Sequence, residues 1–280
     1  MWNKAEMAHA LLERAKDIRL VASDLDGTLL DGSSRLSART VAAVELARRR
    51  DIAFTICTGR SFYELEDIPR TLQLTAPVVC RNGAEIVDPV SGDTLFQALI
   101  PTDEGAAFMA YCVKEHIDVC LTTPDAALFP QGSYFEDFLA KRSVQGQTVD
   151  YIDENNRFDG LLHCKIILLK EQPKYPLAQA FADKLPGVRS VGSANELVDL
   201  ICRDASKDAG LRWVAEHMGI GREACCAFGD FANDVPMLQY AGLSFAMENA
   251  ARSVQAAADY VAPSNVEDGV AQVLETLFGI

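Results

Sequence analysis

Ile18-Arg19-Leu20-Val21-Ala22-Ser23-Asp24-Leu25-Asp26-Gly27-Thr28-Leu29 changes character halfway along. Residues 18–23 are mostly apolar and read as a strand. The run stops at two carboxylates two residues apart, Asp24 and Asp26, and Gly27 then lets the chain turn away sharply. In an open α/β sheet the carboxyl ends of the strands are where ligands bind.

Working outward, strand and helix signals alternate. Ser37 is placed to cap a helix through Arg49, with Val41, Val44 and Ala47 on one face. Residues 53–57 and 77–80 read as second and third strands. The alternation resumes near the end. Ser206 caps a helix through Met218, stopped by Gly219. Strands at 224–228, 243–247 and 260–262 then alternate with a helix from about Pro236, an alanine-rich helix and a last helix from about Val266. This order predicts an α/β fold: a doubly wound, Rossmann-like parallel sheet with helices on both faces.

The middle reads differently. Turn signals are denser there (DPVSGD, TTPD, FPQGS, KLPGV), and the strands are longer and partly alternating. Helices are expected around residues 102–115 and 176–185. The expected division is a core from 1–84 and 204–280, with a helical extension at its start around Met7, Leu11 and Ala15, interrupted by an α+β cap at 85–203. A length of 280 residues suits two domains.

A net charge of -14 disfavours nucleic acid and anionic membrane as partners, and requires any phosphate site to be locally positive. Apolar runs are too short to cross a bilayer, and the start carries no secretory pattern. The eight cysteines form no disulfide framework and several lie in strand-like runs, so buried thiols in a cytoplasmic protein are expected. Neither a G-x-G-x-x-G after the first strand nor a G-x-x-x-x-G-K-[ST] loop is present.

The chemistry concentrates at strand ends. Asp24 and Asp26 suit a hard cation, or a nucleophile with a general acid and base beside it. A calcium loop is excluded, because its first and last ligand positions fall on Ala22 and Ser33. Thr58-Gly59-Arg60 follows the second strand, Gly229-Asp230 follows the strand at 224–228 with Asn233-Asp234 next, and Lys207 opens a helix. Parallel strands would bring all of these to one edge of the sheet.

Together D-x-D-G-T, T-G-R, S-K and G-D-x-x-N-D resemble the motifs of the haloacid dehalogenase superfamily, in its Cof-like branch with a large cap between the second and third motifs. Asn82-Gly83-Ala84, Met247-Glu248-Asn249-Ala250 and Asn265-x-Glu267-Asp268-Gly269-Val270 are similar to its accessory words. The resemblance implies a Mg2+-dependent phosphatase acting on a small phosphorylated metabolite through an aspartyl-phosphate. Asp24 would be nucleophile, and Asp26 general acid and base. Asp24, the Asp26 carbonyl and Asp230 would hold the metal. Thr58, Gly59 and Lys207 would hold the phosphoryl group, with Asn233 and more weakly Arg60 contacting phosphate, substrate or cap. Asp234 would support the metal or Lys207. A phosphosugar mutase shares these motifs, and a non-catalytic regulator would have lost some of them. Asp208 departs from the glycine usual after the motif lysine. His163 and Lys165 are weak candidates for reading the substrate.

Overall fold

The structure, a computed structural model, describes residues 11–65, 67–123, 126–136, 148–152, 165–192 and 197–279. Met7 and His163 lie outside the described residues. The strands are β1 (Leu20–Ser23), β2 (Ala53–Ile56), β3 (Val78–Cys80), β4 (Glu85–Val87), β5 (Thr94–Gln97), β6 (Val119–Thr122), β7 (Ala126–Pro130), β8 (Thr148–Ile152), β9 (Lys165–Leu169), β10 (Val188–Gly192), β11 (Leu197–Cys202), β12 (Cys225–Gly229), β13 (Leu243–Met247) and β14 (Tyr260–Ala262).

Five of them form a parallel sheet in the order β14-β13-β12-β1-β2. Side chains alternate across a strand, and both faces of this sheet are covered, so both sets are apolar. Val21, Cys226 and Phe228 pack on one face with Val44 and Ala47 of the helix Ala38–Arg48 and with Val270 and Leu274 of Gly269–Leu277. Leu11 and Ala15, in the helical residues 11–15, join that cluster. Leu20, Ala22, Cys225 and Ala227 face the other way, onto Leu211 and Val214 of Lys207–His217 and Met237 of Val235–Tyr240. Both expected caps form: Ser37 accepts from the Thr40 amide, and Ser206 from the Ala209 amide.

β3 meets β2 through a single bridge, Cys57 to Val79, and pairs antiparallel with β4, which pairs with β5. The chain from Glu85 thus first makes a hairpin beside the parallel sheet. Beyond it lies a second, six-stranded sheet ordered β10-β11-β9-β6-β7-β8. One face carries the helices Thr102–Lys114 and Tyr175–Ala182, packed on Leu121, Ile166, Leu168, Val198 and Leu200. The alanine-rich helix expected after β13 is a single turn, Arg252–Gln255, and the last helix begins at Gly269 after a 3-10 turn at Asn265–Glu267. The seven described cysteines carry free thiols, six of them buried. Among the described residues no helix is long and apolar enough to cross a membrane.

Candidate active site

β1, β2 and β12 run parallel and adjacent, so their carboxyl ends open at one edge. Asp24 leaves β1 there, 6% exposed, with its amide bonded to the Phe228 carbonyl of β12. The turn Leu25–Leu29 that follows is closed by a bond from the Leu30 amide to the Leu25 carbonyl. Gly27 is required in it. Its φ is 82°, and a Cβ would stand 2.4 Å from Asp230 Oδ2. Asn249 Nδ2 donates to the Gly27 carbonyl and Asn265 Nδ2 to the Leu30 carbonyl, which pins the middle and the exit of the turn.

Lys207 comes from the first turn of its helix, 2% exposed. Its Nζ donates to Asp24 Oδ1 at 2.5 Å and to Asp234 Oδ1 at 2.6 Å. The other oxygen of Asp234 accepts from the amides of Asp230 and Phe231, so this fully buried carboxylate is committed to lysine and backbone. The helix start is held by a close approach. Gly83 has φ 93°, and a Cβ there would lie 2.0 Å from the Ser206 carbonyl oxygen. Asp230 is half-buried and accepts from Thr28 Oγ1 at 2.8 Å.

Three carboxylates thus surround one ammonium. Burial pushes Asp24 well above the usual carboxylate range; Lys207 opposes this, and Asp234 and Asp230 add to it. Burial also raises Asp230, against the Thr28 hydroxyl bond. Burial alone would lower Lys207, but Asp234 and Asp24 outweigh it and hold the amine above its ordinary value. Asp24, Asp230 and Asp234 each offer an oxygen within 4.8 Å of the others. A hard divalent cation fits this donor set, because the cluster carries more negative charge than Lys207 cancels. With Asp234 already engaged, Asp24 and Asp230 are the carboxylates open to it.

Raised carboxylates make the fold sensitive to pH. The folded state keeps protons that the unfolded chain gives up, so this stabilisation is present at low pH and is lost as pH rises through the raised values. A bound cation offsets that loss by binding the folded state. The gain in Tm from added magnesium over EDTA is therefore expected to be larger at pH 8 than at pH 5. Equal gains by differential scanning fluorimetry would contradict the arrangement.

Thr58 is 1% exposed, and its Oγ1 accepts from the Arg60 amide at 3.1 Å. Arg60 grips Asp26 through both carboxylate oxygens, Nε to Oδ2 at 2.8 Å and Nη2 to Oδ1. Burial opposes the charge on Arg60, but the Asp26 carboxylate overcomes it and raises the guanidinium. Asn233 Nδ2 donates to Asn82 Oδ1 at 2.9 Å. Asp24, Asp26, Thr58, Gly59, Arg60, Lys207, Asn233, Asp230 and Asp234 thus fall in one connected cluster. Sequence reading gave no role to Thr28, Asn82 or Asn249, although the words D-G-T, N-G-A and M-E-N-A contain them. Asp208 lies in the first turn of the same helix as Lys207.

The sequence and fold are matched by known proteins. The family of haloacid dehalogenase-like hydrolases matches residues 21–274, and the chain belongs to it, in the Cof-like branch. It is 29% identical over 268 residues to the 5-amino-6-(5-phospho-D-ribitylamino)uracil phosphatase YbjI of Escherichia coli, covering 92% of this chain and 95% of that one. It is 28% identical over 269 residues to the pyridoxal phosphate phosphatase YbhA of the same organism, covering 91% and 97%. A solved haloacid dehalogenase-like hydrolase from B. subtilis superposes with a TM-score of 0.79 at 26% identity, over 92% of this chain and 99% of that one.

Proposed function

We propose that the protein is a Mg2+-dependent phosphatase of small phosphorylated metabolites that works through an aspartyl-phosphate on Asp24. The observation that carries this reading is the buried Lys207 joined to both Asp24 and Asp234, with Asp230 alongside. A divalent cation added to this cluster would offset its carboxylates and leave Lys207 to meet a phosphoryl group.

In this reading an Asp24 oxygen attacks phosphorus, and the bond from phosphorus to the ester oxygen breaks. That oxygen takes a proton from Asp26, which leaves Arg60 and picks up that proton from solvent as the substrate enters. Asp26, now a carboxylate, draws a proton from water, whose oxygen attacks the same phosphorus and frees Asp24 and inorganic phosphate. Arg60 holds Asp26 until a substrate arrives. Lys207, the Thr58 hydroxyl and the Gly59 amide hold the phosphoryl oxygens, and Asn233 adds a side-chain contact. Bound magnesium, held by Asp24, the Asp26 carbonyl and Asp230, would neutralise charge on the transferring group. Asp24, Asp26, Lys207 and Asp230 are all retained together, which speaks against a non-catalytic regulator.

The core would grip every substrate by the same phosphoryl group, so discrimination falls to the cap at 85–203. Phe231, 43% exposed and next in the chain to Asp230, has its ring beside Gly192 of β10, so the insertion meets the core close to Asp230. YbjI and YbhA are named for different phosphate esters, and a small monoester is the class they share with this proposal.

The test is phosphate release from a panel of phosphorylated metabolites. Turnover is expected with magnesium, none with EDTA, and inhibition by calcium, whose looser shell spoils alignment of Asp24 with phosphorus. Full activity in metal-free buffer, or no release from any ester with magnesium, would sink the proposal.

A further inference from the structure

This inference rests on the phosphatase reading, in which Thr58 holds the phosphoryl group. Alternation along β9 and β11 sends Ile166, Leu168, Val198 and Leu200 to the helix-covered face of the six-stranded sheet. Lys165 and Asp199 therefore lie on the opposite face, where they meet the parallel-sheet domain. They are 7% and 3% exposed and 3.5 Å apart. Lys165 Nζ donates to the Gly59 carbonyl at 3.1 Å. Asp199 Oδ2 accepts from Asn82 Nδ2 at 3.1 Å, and Asn82 is the residue that Asn233 contacts.

The carbonyl that Lys165 holds belongs to the peptide between Gly59 and Arg60. The N–H of that same peptide donates to Thr58 Oγ1. A hydroxyl that accepts there keeps its own proton to donate elsewhere. An ammonium on the carbonyl end polarises the peptide and strengthens its N–H end. An ion pair buried in a strand of isoleucine and leucine is also a poor device for stability alone, since apolar replacements are often as good or better.

We propose that Lys165, paired with Asp199, is a positioning residue of the site. Through the Gly59–Arg60 peptide it sets the Thr58 hydroxyl to donate toward a phosphoryl oxygen. Cover by the six-stranded sheet and preparation of the phosphate loop are then one event.

The test uses the full chain with magnesium, esters of unlike leaving groups, and inorganic phosphate as a competing inhibitor. Lys165→Met should raise KM and weaken phosphate inhibition by roughly tenfold or more, the worth of a charge-assisted hydrogen bond. The loss should be similar for every ester. Lys165→Arg should recover part of it. Combined with Thr58→Val, Lys165→Met should add little, because both act on one hydroxyl. The double variant Lys165→Met with Asp199→Asn leaves no unpaired buried charge, and so reads the effect in a folded protein if the single variant melts. Unchanged phosphate inhibition in that folded double variant would overturn the proposal. So would losses ranked by leaving group, or additivity with Thr58→Val. A wild type that hydrolyses no ester defeats the phosphatase reading, whereas an active wild type with an indifferent Lys165 defeats the positioning role alone.

Discussion

Asp24→Asn is expected to leave a folded protein whose phosphate release is slower by at least about 10⁴-fold, in the range seen when a catalytic nucleophile is removed. The amide is nearly the same shape and can still accept from Lys207, but it cannot form the acyl phosphate. The fold should tolerate the change. Asp24 sits where burial and two neighbouring carboxylates penalise its charge, and a neutral side chain removes that penalty. Lys207 keeps Asp234 as its counter-ion at 2.6 Å. The Tm in EDTA should therefore stay near or above that of wild type. A folded variant retaining more than a few per cent of activity would remove Asp24 from the role of nucleophile.

Lys207→Met is expected to cost both activity and stability. The lysine is 2% exposed, and its removal leaves Asp24 and Asp234 buried with no cation and Asp230 beside them. Breaking a buried pair from one side typically costs about 3–5 kcal/mol. The loss should shrink at lower pH, where protonation of Asp24 and Asp230 relieves the repulsion, and should shrink again with magnesium. Turnover should fall for all esters alike, since the ammonium would act on the group they share. Urea unfolding in EDTA at pH 8 and pH 5 checks the first part. A variant as stable as wild type at both pH values would mean that Lys207 does not compensate these carboxylates.

The parallel sheet and its site edge were legible because their signals are local. Each core strand is a short apolar run, Ser37 and Ser206 mark helix starts, and parallel order then puts Asp24, Thr58 and Asp230 at one edge. The hairpin of β4 and β5 was placed with the insertion. Its pairing with β3 depends on which sheet edge is open, and periodicity does not encode that. Arg60 illustrates a second limit. Its position next to Thr58 and Gly59 at the end of β2 was readable, but its two-point grip on Asp26 depends on how far a long side chain reaches. Lys165 reads in the sequence as a weak candidate for contacting substrate, not as a partner of Gly59. A lysine opening the run Lys165-Ile166-Ile167-Leu168-Leu169 was the available signal, and its partners Gly59 and Asp199 are distant in the chain. Asn82 could have been singled out from the dipeptide Asn82-Gly83, because asparagine and glycine are the residues that most readily take the left-handed backbone Asn82 adopts at φ 56°.

The central position of β1 has a consequence for synthesis. Leu20 pairs with Ala53 on one side, which the ribosome supplies almost at once, and with Cys225 on the other. At translation rates of about 5–20 residues per second, the second partner arrives roughly 10–40 s later. Throughout that interval a strand that is fully buried in the finished molecule has one bare edge, while the six-stranded sheet, whose described strands fall between Val119 and Cys202, receives its last pairing partner before Cys225 is made. The nascent chain thus completes its cover before the half it will cover, and the unpaired β1 edge is the segment that a chaperone would have to shield.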